Sequence, residues 1–214
     1  MASTLHHGVV ERLGMAIVTG ELAPGSVLTL DQLCADQAVS RTVAREAVQV
    51  LQSMRLVESR RRTGVTVQPS SRWNVFDPSV IRWRLAGSER ASQLRQLTEL
   101  RAAIEPPAAA SAAARVLPDG HRRRLVELSS LLEDAGTRGH LDTFLDYDVE
   151  FHQLVLEASG NVMFAGLSEV VEEVLRGRTH HHLMPPHPKP EARRLHAVVA
   201  APSPVASPKW RTPR

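Results

Sequence analysis

Asp148 and His152 have the types and spacing for metal or proton chemistry. They lie four apart in LDTFLDYDVEFHQLVLEASGN, and a 3.6-residue period sets them on one helix face with Leu141, Leu145 and Val155. Asp142, Asp146, Glu150, Gln153 and Glu157 take the other face. A carboxylate and an imidazole on an apolar face must be paired once buried. A mutual hydrogen bond is the simpler reading of the spacing alone; a divalent ion is the other partner that ligands at i and i+4 suit. A second chemistry stands nearer the N-terminus, in VSRTVAREAVQVLQSM. There Val43, Ala47, Val50, Leu51 and Met54 form an apolar stripe, opposite Arg41, Arg45, Gln49 and Gln52, with Ser40 as N-cap. Arg reads guanine edges or phosphates and Gln reads adenine, so Arg41, Arg45 and Gln49, with a methyl or hydroxyl contact from Thr42, suit a major groove. An ordinary amphipathic surface helix is the alternative.

These side chains need elements to hold them. Val9, Val10, Leu13, Ile17 and Val18 predict a first helix that stops before Gly20, and Pro24-Gly25 predicts a turn. Leu30 to Ala38 fits a short second helix with Leu33 inward, and Ser40 opens the third. Three short helices with the third one basic is helix-turn-helix order. The segment ESRRRTGVTVQP then reads as a β-hairpin around Thr63-Gly64, with Arg60, Arg61 and Arg62 at a tip suited to the phosphate backbone or minor groove. QPSSR at 68–72 breaks the composition, and Asp77-Pro78 opens a further helix packed down by Val80 and Trp83. Leu94, Leu97, Leu100 and Ile104, with the alanine-rich run to Ala114, predict one or two more helices broken or kinked at Pro106-Pro107. Within them Arg101 has Glu105 as an i to i+4 neighbour, the partner of an ordinary surface pair. Leu125, Leu128, Leu131 and Leu132 give another helix, ended by Gly136 to Gly139; beyond the Asp148 helix, Gly160-Asn161 starts VMFAGLSEVVEEVL, with Asn161 suited to capping. The prolines around His180, His181, His182 and His187 make that histidine run a solvated loop rather than a metal site. EARRLHAVVAA resumes a helix with His196 among Ala192, Leu195 and Val199, the usual setting of a satisfied core histidine.

The chain's 214 residues have room for two modest domains. The formal charge is +3. Its distribution matters more than its total: residues 1–70 carry seven basic against six acidic side chains, 71–175 carry eleven against sixteen, and 176–214 carry eight against one. Nucleic-acid binding must then rest on local clusters at the N-terminal end. A single cysteine, Cys34, excludes an internal disulfide framework and fits a reducing compartment. No apolar run reaches membrane-spanning length and the N-terminus lacks signal-peptide order, so a cytoplasmic protein with no membrane partner is expected.

Gly20-Glu21-Leu22, Pro24-Gly25, Leu28, VSRTVAREAV, LVES and Gly64-Val65-Thr66-Val67 together resemble the winged-helix domain of the GntR family of bacterial transcription regulators, over residues 8–69. The resemblance implies that Arg41, Thr42, Arg45 and the wing around Gly64 contact operator DNA. It departs from the family at Leu30-Asp31, where many members carry an acidic-basic pair, and at Arg55, which replaces a usual glycine. LTELRAAIEPPAAASAAA resembles the opening of the FCD ligand-sensing domain of the FadR branch, which implies that Arg101 points inward to a carboxylate ligand. D-x-x-F-H followed by ASGN matches that domain's metal motif, so the resemblance makes Asp148 and His152 ligands and His196 a third. Asn161 matches a position typical of the family and joins Arg101 as an effector-site residue. WNVFDPSVIRWRL resembles the branch that senses sugar acids such as gluconate or galactonate.

The expected fold class is mainly α: a winged helix-turn-helix of three helices plus a β-hairpin, then an all-α antiparallel helical bundle. The expected division is 1–69 for DNA binding, 70–88 for a linker and first packing helix, 89–201 for the FCD-like effector domain, and 202–214 for a disordered proline-rich tail. The expected protein is a homodimeric regulator, by preference a repressor. Its operator binding answers a small carboxylate at a divalent metal, zinc first, with manganese or nickel as alternatives. A metal-dependent hydrolase using the Asp/His/His set is the rival reading. In the resembling family a further helix follows that of His196 and brings one more histidine; here Pro202, Pro204, Pro208 and Pro213 stand instead, which predicts an incomplete, weakly retained metal site.

Overall fold

The structure, a computed structural model, describes residues 2–60 and 64–180 together with His196. It separates into two compact units, Met1–Gln93 and Leu94–Arg214. Among the described residues, no helix is long and apolar enough to cross a membrane.

The first unit is the three-helix arrangement with a wing. Helix α1 (Ala2–Val18) buries Val9, Val10, Leu13 and Ile17 along one stripe. After the turn at Gly25 (φ 87°), α2 (Leu30–Gln37) opens on a capping box. Thr29 Oγ1 accepts from Gln32 N at 3.1 Å while Gln32 Oε1 accepts from Thr29 N at 2.9 Å, satisfying two otherwise orphan donors. Ser40 caps α3 (Arg41–Ser53) by accepting from Val43 N at 3.3 Å. The buried face of α3 is Ala44, Ala47, Val48 and Leu51, whereas Val43 and Val50, assigned to the stripe by sequence, are half-buried. Ala47, Leu51 and Met54 are buried as expected, and the stripe widens toward Ala44 and Val48, which pack in the same core as the buried residues of α1.

Helix α3 ends in a Schellman closure, with Arg55 N donating to Gln52 O at 2.9 Å and Leu56 N to Leu51 O at 3.0 Å. The pivot of this closure is Arg55 at φ 59°, which explains why a glycine is usual at this position. Strands β1 (Val27–Leu28), β2 (Val57–Arg60) and β3 (Gly64–Val67) form an antiparallel sheet in the order β1-β3-β2. The hairpin pairs Glu58 with Thr66 and Arg60 with Gly64. Sequence patterning missed β1, because two residues offer no alternation to read. Gly64 (φ 98°) is needed twice over, since a Cβ there would also stand 2.8 Å from Leu28 O.

Helix α4 (Pro78–Ala86) belongs to this unit. Asp77 Oδ1 accepts from Ser79 N at 2.9 Å and Pro78 occupies the first turn. Val80 and Trp83 then enter the same core as α1 and α3. The Trp83 indole lies against Gly14, where a Cβ would come within 2.2 Å of the ring, and its Nε1 donates to Glu11 at 2.7 Å.

The second unit is helical throughout its described residues: the main part of α5 (Arg90–Ala113), then α6 (Asp119–Arg138), α7 (Leu141–Ala158), the short α8 (Val162–Ala165) and α9 (Ser168–His180). Helix α5 runs unbroken through Pro106 and Pro107, where the sequence suggested a break or kink. Flanking alanines favour helix, and Ala108, fully buried just beyond the prolines, anchors the continuation. The single helix expected after Asn161 is instead two, α8 and α9 separated at Gly166-Leu167, with Ser168 Oγ donating to Ala165 O at 2.8 Å. Helix α7 is the centre of the unit. Phe144, Phe151 and Val155 pack on Leu125, Leu128 and Leu132 of α6, while Leu145, Val149 and Leu156 pack with Ala108 of α5 and Val171 and Leu175 of α9.

Candidate functional site

The side of α7 that faces away from α6 carries Asp148 and, one turn later, His152; together with His196 they form one cluster. Asp148 is buried, and the helical residue His196 is buried beside it. His196 Nε2 lies 3.2 Å and His152 Nε2 3.5 Å from the same Asp148 Oδ1. Phe151 walls the cluster with its ring edge-on to both imidazoles, at 4.8 Å from His196 and 5.8 Å from His152. Burial works to raise the Asp148 carboxyl, but hydrogen bonds and charge from the two histidines outweigh it and hold the group well below the usual carboxylate range.

Helix α5 supplies the other half of the cluster. Arg101 Nε donates to Glu105 Oε1 at 2.6 Å and its Nη2 to Glu105 Oε2 at 3.3 Å. The same Nη2 stands 3.2 Å from His152 Nε2, and His152 Nδ1 stands 3.3 Å from Glu105 Oε2. Arg101 points inward, 12% exposed, and is paired with Glu105, so the expected i to i+4 partner is present but the pair is not a surface one. Glu105 is the residue that sequence reading underrated. It accepts from the guanidinium and faces His152 Nδ1, so it can orient the ring while Nε2 is turned toward Asp148 and Arg101.

Arg178 also escaped sequence reading. Val171, Val174, Leu175 and Arg178 fall on one face of α9, and an arginine ending an apolar stripe was the available signal. It is half-buried. Burial and the neighbouring charge of Arg101 depress its guanidinium, while Asp148 and Glu105 act in the opposite sense, so Arg178 lies within electrostatic reach of the cluster.

Other expected site residues lie elsewhere. Asn161 is exposed and caps α8, its Oδ1 accepting from Met163 N at 2.9 Å, and it has no hydrogen bond to the cluster among the described residues. Its short polar side chain satisfies a helix start, which is a local role. His180 closes α9 as an exposed helical residue rather than lying in a loop; His181, His182, His187 and the tail at 202–214 fall outside the described residues.

In the first unit Arg41, Thr42, Arg45 and Gln49 are all exposed on α3. Arg41 is ion-paired with Asp31 of α2. Arg60 pairs with Glu58 across 3.1 Å, and Gly64 faces it on β3. Arg61 and Arg62 lie outside the described residues. Cys34 is half-buried against the core and has no part in either site.

A winged helix-turn-helix unit followed in the chain by a helical unit with a buried polar cluster is the build of a DNA-binding transcription regulator. The chain belongs to the GntR family: residues 5–67 match the bacterial regulatory proteins of the gntR family, and residues 96–201 match the FCD domain. It is 30% identical over 170 residues to the galactonate operon transcriptional repressor of Escherichia coli K12, covering 78% of this chain and 72% of that protein. It is 27% identical over 173 residues to the HTH-type transcriptional regulator YieP of the same organism, covering 79% and 74% of the two chains. A solved Streptococcus agalactiae GntR structure is 23% identical, with a TM-score of 0.46, covering 91% of this chain and 87% of that one. The family and these relatives are regulators rather than enzymes, which sets aside the hydrolase reading of Asp148, His152 and His196.

Proposed function

We propose that the chain is a homodimeric repressor whose operator affinity is set by a small carboxylate bound with a divalent metal ion in the helical domain. The observation that carries this reading is the convergence of Arg101, Asp148, His152 and His196 in one largely buried cluster. The donor set fits an ion: one carboxylate and two imidazoles offer ligand atoms within 4.8 Å of one another, and His196 Nδ1 is buried without a hydrogen-bond partner. Oxygen and nitrogen donors of this kind suit zinc, with manganese and nickel as alternatives. When bound, the ion would supply a Lewis-acidic point for a carboxylate oxygen. Arg101, held by Glu105 through Nε and Nη2, would meet the same carboxylate through Nη1.

On DNA, Arg41, Thr42, Arg45 and Gln49 of α3 would enter the major groove, while Arg60, Arg61, Arg62 and Gly64 would bring the wing to the backbone. Repression is favoured by the similarity to a galactonate operon repressor, and the same similarity favours a sugar acid as effector. The effector must favour one arrangement of the dimer over another, since only differential affinity shifts an equilibrium. The test is a gel shift of the zinc-loaded protein on the DNA upstream of its own gene. Galactonate or gluconate should release a complex that forms in their absence, and chelator-stripped protein should lose that response. Release by neither acid at millimolar concentration would overturn the effector assignment.

A further inference from the structure

Arg178 is unusual among the arginines of the helical unit because it is more than half buried and has neither a hydrogen bond nor an ion pair among the described residues. Its counterpart Arg101 spends Nε and Nη2 on Glu105 and His152 and keeps Nη1 without an acceptor among the described residues. A half-buried guanidinium presents five donors in a planar fork and cannot shed its charge, so leaving it unmatched is unfavourable unless an anion completes the site. Its position follows from the packing of α9. Val171 and Leu175 lie in the core with Ile104 and Ala108 of α5 and Leu145 and Val149 of α7. Arg178, one turn beyond Val174 and Leu175, continues that face toward the charges of Arg101, Glu105 and Asp148.

Charge leads to the same place. Among the described residues, Asp148 and Glu105 balance Arg101 and Arg178 when the imidazoles are neutral, so a divalent ion would leave these groups with two uncompensated positive charges. A monocarboxylate cancels one of them, and a dicarboxylate cancels both. Low-polarity surroundings make the remaining charge unfavourable.

We propose that Arg178 is a second carboxylate-binding residue of the effector site, and that the site takes a small dicarboxylate with one acid group at Arg101 and the other at Arg178. This rests on the carboxylate-and-metal reading above and narrows it to acids charged at both ends.

The experiment uses the full chain loaded with zinc and calorimetric titration with galactonate as the monoacid and succinate, glutarate and galactarate as diacids of increasing span. At least one diacid should bind about tenfold or more tightly than galactonate, as two charge-assisted contacts outweigh one. Arg178→Gln should remove that preference while leaving galactonate affinity within about threefold, the scatter expected of an uninvolved site. Arg101→Gln should weaken both classes. Arg178→Lys keeps the charge without the fork and should lose part of the diacid preference; should the Gln variant not fold, this variant decides. The inference is overturned if no diacid exceeds galactonate, or if the Arg178 variants bind every acid as the parent does or lose all acids by one common factor. Zinc-loaded parent protein that binds none of the four acids overturns the broader reading as well, whereas galactonate binding without a diacid preference sinks the Arg178 assignment alone.

Discussion

At Glu105, one carboxylate accepts from the guanidinium proposed to meet the effector and faces the imidazole proposed to meet the ion. Its role is one of positioning, since it would touch neither guest. Glu105→Gln replaces an oxygen by an NH2 that must face either Arg101 or His152. Zinc affinity, read by competition with a chromophoric chelator, should fall about 10- to 100-fold, with the melting temperature of the metal-free protein little changed. Unaltered affinity would mean that His152 needs no orienting partner. At the DNA face the two leading arginines are not equivalent. To reach a base as proposed, Arg41 would have to leave its pair with Asp31, whereas no hydrogen bond or ion pair holds Arg45 among the described residues. Arg45→Ala should therefore weaken specific operator binding by about 1 to 3 kcal/mol, and Arg41→Ala by less, because the free protein's ion pair offsets part of its contact. Fluorescence anisotropy on one operator duplex would rank them; an Arg41 loss larger than that of Arg45 would contradict the offset.

Helix α3 shows how a local rule can be broken for the sake of the next element. Its C-terminal closure requires a left-handed residue, and Arg55 fills that position where glycine would do so without steric conflict. Arg55→Gly should raise the unfolding free energy by about 0.5 to 1 kcal/mol, as relief of the left-handed strain exceeds the entropy that glycine adds to the unfolded chain. Urea denaturation would show it, and a destabilised variant would mean the arginine side chain makes contacts that outweigh the strain. Much of this architecture was legible. Caps at Ser40 and Asp77, the apolar stripes of α1, α6 and α7, and the inward Asp148–His152 pair all follow from spacing. What spacing could not convey was packing between elements. The buried face of α3 extended to Ala44 and Val48, a buried Ala108 carried α5 through two prolines, and Asn161 took a cap outside the cluster. Glu105 and Arg178 were hidden for the same reason: an acid four residues from an arginine, or an arginine at the end of a stripe, acquires meaning only when a second helix brings the partner.

For the molecule as a whole, an ion held by Asp148, His152 and His196 would tie α7 to the residue farthest along the chain among those described. Binding that favours the folded state over the unfolded one stabilises it by mass action, about 4 kcal/mol at a thousandfold excess over Kd. Stripping the metal with a chelator should lower the melting temperature by roughly 5 °C or more, and restoring zinc should recover it. His196→Ala should abolish the chelator's effect, which would otherwise reflect an ion bound elsewhere.

The docking of Trp83 over Gly14 bears on how such regulators can be recombined. The indole occupies the space of a missing side chain on α1, and Val80 and Trp83 complete a core begun by Val9, Leu13 and Leu51. A portable DNA-reading module cut at the end of the wing, near residue 69, would leave that socket open and the core short of its largest side chain. A cassette that keeps this core whole would have to include α4, and a donor sequence grafted onto another sensor would have to bring both the tryptophan and the glycine that receives it. Exchange of either half alone would place a ring against a methyl group or a cavity against water, so these two positions must be exchanged together.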